Sequence, residues 1–337
     1  MPDILPSEFA TRTHAPARSR LGAGGRWVAL GVMASALAGV CWYAKGEPAT
    51  APATATVAMG VIEARSSAVG HVASDDRPAP SAIAATLPAN PAYRSAPRVE
   101  FERTDDLYAF VQRLAPAVRE RDADAMWLVS KVYDYCSGYA MAPAGYARDT
   151  GAIRDMGQRG WQEMVAARDR VSARCARFVP EDDLSQPMVV MRRVEAAQAG
   201  SLPAEAALLA SGQPLKKTDD YVRDLVTRVR ESKDPDAYAA VSSGMGIAAS
   251  GRQAYAPDVS GTQFAELAWQ LAACRLGLDC GPQGALMTSY CANGGICSRD
   301  PTQDFAGFVY DAAIPRQGAD VVNGMVDSLL SEQKVKQ

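Results

Sequence analysis

Cys274-x-x-Gly277-x-x-Cys280 is followed closely by the same spelling, Cys291-x-x-Gly294-x-x-Cys297. Thiols grouped this way can hold zinc, cycle electrons or cross-link the chain. Structural zinc sites separate paired cysteines by about two to four residues, and here five intervene. Redox centres commonly use Cys-x-x-Cys, a spacing the chain lacks. Gly277 and Gly294 read instead as left-handed caps closing helices that contain Cys274 and Cys291, folding the chain back toward the last turn. Pairing Cys280 with Cys291 would join opposite ends of a helix, about 15 Å apart, whereas a bridge needs Cα atoms within about 7 Å. Local staples, Cys274–Cys280 and Cys291–Cys297, are the expectation. Cys136 and Cys175 then pair by elimination. Both fall near the C-terminal ends of their helices, so the chain must turn an extra time between them, at Gly157 and Gly160.

The only histidines are His14 and His71. Residues 101–337 therefore offer no Ser-His-Asp or Cys-His catalysis and no histidine metal ligand. Carboxylates carry what chemistry remains. Asp122-Ala-Asp124 resembles the Asp-x-Asp metal motif of type II membrane glycosyltransferases, but those enzymes set it among strands. Here it opens a helix and reads as a cap. Glu181-Asp182-Asp183 is expected to serve the N-terminus of a helix over 188–199. Residues 230–246, "RESKDPDAYAAVSSGMG", resemble the catalytic segment of lytic transglycosylases. That resemblance implies Glu231 as general acid in an apolar cleft, with peptidoglycan as substrate. The family's Gly-Leu-Met-Gln segment is absent, although Gly244-Met245-Gly246 stands nearby. The plainer expectation is a helix ending at Glu231, a turn at Pro235 and a new helix. Trp127, Trp161 and Trp269, with Met188, Met191 and Met325, read as packing residues. No cofactor motif is present.

The elements that must position these groups are helical. Leu107, Phe110, Val111, Leu114 and Val118 follow i, i+3, i+4, i+7 spacing, with Thr104 placed to cap. Similar stripes follow Asp122, Asp219 and Thr262, and a last one runs through Val322, Met325, Val326 and Leu329. Prolines 143, 180, 203, 214, 235, 257, 282, 301 and 315 fall between the stripes, where proline ends or begins helices. Only "PMVVM" at 187–191 is ambiguous. The expectation is an all-α domain of roughly nine to eleven helices. "RDADAMWLVSKVYDYC", "GSLPAEAALLA" and "KDPDAYAAVSSGM" resemble the helix-pair units of tetratricopeptide and Sel1-like repeat proteins, with Tyr133-Asp134 ending a small-residue helix. The resemblance implies stacked antiparallel helix pairs, an irregular solenoid or bundle.

The N-terminal third gives the setting. Residues 27–44 are uncharged and apolar between Arg26 and Lys45, about long enough to span a bilayer. Trp27, Trp42 and Tyr43 suit its interfaces. Arg12, Arg18, Arg20 and Arg26 place residues 1–26 in the cytoplasm and the remainder outside. Residues 45–100 are rich in proline and alanine and read as a disordered tether. Residues 101–337 then form an extracytoplasmic domain, in a compartment that permits disulfides. The absence of an Asn-x-Ser/Thr acceptor beyond the span favours a bacterial inner membrane facing the periplasm. Net charge is −3 in 337 residues, so no global basic field recruits nucleic acid. The functional expectation is a membrane-anchored interaction or scaffold module with a protein partner in the envelope. The alternative is a peptidoglycan-active enzyme built on Glu231.

Overall fold

The computed structural model describes residues 95–331. The proposed span at 27–44 and the tether up to residue 94 lie outside the described residues. Among the described residues, no helix is long and apolar enough to cross a membrane. The architecture is all-α: thirteen α-helices joined by short 3-10 and π turns, with no strand among the described residues. The helices are α1 (Ala96–Arg103), α2 (Leu107–Arg119), α3 (Ala123–Ala140), α4 (Pro143–Met156), α5 (Trp161–Cys175), α6 (Gln186–Gln198) and α7 (Leu202–Ala210). They continue as α8 (Asp219–Ser232), α9 (Pro235–Met245), α10 (Gln263–Leu276), α11 (Ala285–Gly294), α12 (Phe305–Phe308) and α13 (Ala319–Leu330). The ambiguous "PMVVM" segment lies within α6. Two elements, α1 and α12, are too short to show a repeated stripe, which is why the helix count exceeds the sequence expectation.

Local chemistry sets the boundaries. Asp122 caps α3 by accepting from the Ala125 amide at 2.7 Å, and Thr262 caps α10 through Ala265 at 3.1 Å. One expected cap moves by two residues. Asp106, not Thr104, caps α2, because its carboxylate reaches the Ala109 amide while Thr104 stabilises the preceding turn. Thr218, with Asp219 as first helical residue, caps α8. Pro143 and Pro235 occupy first helical positions, where a missing N–H costs nothing.

Two apolar cores result. One is centred on Phe101, Phe110, Leu128, Val132 and Leu208 and draws in Ala285, Cys291 and Ala292 of α11. The other is centred on Leu225, Tyr238, Met245, Trp269, Phe305 and Leu329. Helix α7 serves both, giving Ala204 and Leu208 to the first and Ala206 and Leu209 to the second. It packs on α9, and where they cross, a Cβ on Gly244 would meet the Ala210 Cα at 2.9 Å. Trp269 is fully buried and Trp127 nearly so, while Trp161 is half-buried. Met191 is 43% exposed, so it does not do the packing expected of it.

The disulfides join Cys136 to Cys175, Cys274 to Cys280 and Cys291 to Cys297, with Cα separations of 5.6, 5.7 and 4.5 Å. The extra turn between Cys136 and Cys175 is helix α4, closed by left-handed Gly157, with left-handed Gly160 opening α5. Gly277 caps α10 at φ 116°. For α11 the left-handed residue is Gly295, because the helix runs one residue further than the shared spelling suggests and includes Gly294.

Candidate functional site

The first helix corrects the tether boundary. Placing the domain start at 101 cuts α1 in half, whereas Phe101 is 1% exposed and Arg98 and Glu102 reach deep into the domain. One helical turn separates Arg98 from Glu102, so both project to the same side beside Phe101. Phe101 is held edge-on by Tyr135 and tilted against Phe110. The Lys131 ammonium sits 4.5 Å over its ring.

Arg98 faces the start of α9. Asp234 caps that helix by accepting from the Asp236 amide at 2.9 Å, and receives Arg98 Nη1 at 3.0 Å. Arg98 also reaches Asp236 at 3.3 Å and Asp124 of α3 at 3.1 Å. Lys131 Nζ lies 3.0 Å from Asp236 Oδ1 and 3.6 Å from Glu102 Oε1. The other Glu102 oxygen accepts from the Ala285 amide at 3.0 Å, at the N-terminus of α11, where a carboxylate is favoured. Six side chains from α1, α3 and the α9 cap region thus form one charged cluster where the two cores meet.

The electrostatics divide the carboxylates. Burial opposes charge on Asp236, but Lys131 and Arg98 outweigh it and hold its pKa below the ordinary value. For Asp234 burial wins over Arg98 and the pKa is raised. Glu102 is raised for the same reason, with Lys131 and the Ala285 amide offsetting only part and Asp279 adding repulsion. Burial works against charge on Lys131 and Arg98 too, yet the surrounding carboxylates push both upward. Both bases are therefore fixed as cations. A protonated, committed lysine is a poor nucleophile.

Three cavities adjoin this cluster. The first, about 430 Å³, lies between the cores and is lined by Trp127, Tyr135, Ala207, Ala240, Leu286 and Asn293 among others. The second, about 310 Å³, adds Arg98, Arg103 and the Gly277–Cys280 loop. The third, about 520 Å³, opens beside residues 281–284 and Thr302. Glu102 and Asp279 line all three, so these two carboxylates stand where the three hollows of this groove adjoin.

The staple closing α10 fixes the Asp279 side of that crossing. Leu278 donates back to the Ala273 carbonyl, and the Phe305 amide holds the Cys280 carbonyl at 2.9 Å. Asp279 Oδ1 accepts from the Gly281 amide at 2.9 Å. A Cβ on Gly284 would press on Asp279 at 3.1 Å. A side chain there would have to push the Asp279 side of the loop away.

The residues singled out from sequence fall elsewhere. Glu231 is exposed at the end of α8 and lines none of these three cavities. Asp122 is a cap, and Asp124 is a partner of Arg98. Asp182 accepts from the Val179 amide within its own 3-10 turn, and Ser185 precedes α6, so the acidic triplet does not serve that helix. Among the described residues, no group of three or more His, Cys, Asp or Glu is placed to hold a metal ion. Comparison of the chain with protein-family models, curated proteins and solved structures finds no match.

Proposed function

We propose that the chain is a membrane-anchored, extracytoplasmic interaction module whose helical domain binds a protein partner of the envelope. In this reading residues 27–44 anchor it, the proline- and alanine-rich stretch that follows from residue 45 is the tether, and its helices stack in pairs as in Sel1-like proteins. The observation that carries the reading is the groove between the two cores, whose floor is a cluster of charges already committed to one another. A groove at such a seam is a common seat for a ligand. Cations held by two or more carboxylates contribute position rather than turnover. Three disulfides suit an oxidising compartment. The peptidoglycan-cleaving alternative draws no support from Glu231, because a general acid needs burial to hold its proton at neutral pH and Glu231 is exposed.

The test is affinity purification of the full-length chain from native membranes after cross-linking, with the partner identified and its binding re-measured using purified components. Saturable binding that survives Glu231→Gln is expected. Peptidoglycan cleavage by the purified chain that is lost in Glu231→Gln would overturn the reading.

A further inference from the structure

We propose that the groove takes an extended peptide segment of the partner and seats a Lys or Arg side chain of that segment at the crossing of Glu102 and Asp279. The inference rests on the interaction reading above and adds the chemical class of what is bound.

Shape supplies the first part. Three cavities of about 430, 310 and 520 Å³ adjoin the same two carboxylates, more room than one side chain requires, and the third is open to solvent. Small residues of α7 and α9, including Ala207, Ala210, Ala239 and Ala240, line one wall of the first arm. They leave room for a main chain to lie along it. An extended segment suits a channel of this form better than a compact ligand does.

Charge supplies the second part. Around the crossing stand Glu102, Asp234, Asp236, Asp124 and Asp279, against Arg98 and Lys131. Arg98 is committed to three carboxylates, and Lys131 is nearer to Asp236 than to Glu102. Arg174 also faces Glu102, but it spends its donors on the carbonyls of Phe101 and Thr104. In the first arm, Asp134 is already paired with Arg193 at 2.6 Å. Asp279 has no ion pair among those found in the described residues and is exposed to the groove. Glu102 has only a shared cation. Arg103 brings a positive charge to the second cavity, which is why the cationic side chain is assigned to the crossing and not to that arm.

Pre-organisation supplies the third. The Cys274–Cys280 staple, the Gly281 amide and the close approach of Gly284 hold Asp279 in place before anything binds. Glu102 is fixed by the Ala285 amide. Fixed carboxylates lose little entropy on meeting a cation. Complementary charge here selects among peptides more than it adds raw affinity.

The experiment measures binding of two blocked pentapeptides, Ala-Ala-Lys-Ala-Ala and Ala-Ala-Glu-Ala-Ala, to the full-length chain in micelles, with cadaverine as a third probe. The lysine peptide is expected to bind about tenfold tighter than the glutamate peptide, with the difference shrinking as salt rises. Asp279→Asn, at an exposed position that leaves the buried cluster intact, is expected to remove most of that preference. Glu102→Gln should act in the same direction. Equal binding of the two peptides would overturn the charge assignment while leaving the groove as a docking site. Tighter binding of cadaverine than of the lysine peptide would overturn the peptide assignment. Failure of every probe to bind, with the identified partner still bound, would overturn the site itself and leave the interaction reading standing.

Discussion

Replacing Asp236 by Asn changes one charge at nearly constant shape and asks what the buried cluster contributes. The Asp236 side chain is 6% exposed and meets both Lys131, at 3.0 Å, and Arg98, at 3.3 Å. Neither base can follow its lost partner into water, since the Arg98 side chain is only 11% exposed and Lys131 23%. Removing one member of a buried ion pair costs about 3–5 kcal/mol, mostly from the charge left behind. Here Asp234 remains for Arg98 and Glu102 for Lys131, so the lower end applies, about 3 kcal/mol. For a domain of this size that lowers the melting temperature by about 6–12 °C. Asp124→Asn touches the same guanidinium from a side chain 57% exposed and is expected to cost under about 1 kcal/mol. Thermal unfolding followed by circular dichroism, run on both variants, makes the comparison internal. A fall of less than about 2 °C for Asp236→Asn, or equal falls for the two variants, would refute the claim that the cluster ties the cores together.

The remaining predictions concern titration, packing and the staples. The raised pKa of Glu102 means its contribution to folding is fully present below its ordinary value and is lost as pH rises through the raised one. Glu102→Gln should therefore gain stability relative to the native chain as pH rises above the ordinary glutamate value, about 4.3, and through the raised one; paired melting curves that stay parallel over that rise would contradict this. Gly244→Ala should destabilise by about 1–3 kcal/mol despite the better helix former, because the added methyl presses on the Ala210 backbone. A higher melting point for that variant would show that α7 and α9 are not in close contact there. Replacing Cys136 and Cys175 by Ser opens a loop spanning 39 residues and should cost about 4 kcal/mol by loop entropy. The same change at Cys274 and Cys280, six residues apart, should cost about 2.4 kcal/mol. Calorimetry of the two double variants checks the order.

Much of this architecture can be read directly from residue spacing. Apolar stripes and the prolines between them report local geometry, which a helix repeats every turn, so the all-α class and most helices follow from periodicity. The cysteine pairs were legible because helix dimensions eliminate the competing pairing. One cap position slipped because neighbouring polar residues, Thr104 and Asp106, both satisfy capping chemistry, and only backbone geometry chooses between them. The charged cluster was not legible. Its members lie 105 residues apart between Lys131 and Asp236, and 136 between Arg98 and Asp234, and no local rule couples residues at such distances. Arg98 was also hidden by its composition, since the proline-rich stretch before it reads as tether. The usable signal was faint: Arg98 and Glu102 on one helical face, with Val99 and Phe101 between them. The segment 230–246 drew attention for Glu231, whereas Asp234 and Asp236 within it hold the structural role.

Site-resolved photo-cross-linking tests the central claim most directly. A photoreactive residue at Asn293, which is exposed and lines the first cavity, is compared in the full-length chain with one at Met156, which is 60% exposed on α4 and lines none of the three cavities. The expected result is an adduct with the identified partner from position 293 and none from 156, with the 293 adduct lost when Asp279 is replaced by Asn. An adduct from 156 but not 293 would contradict the account.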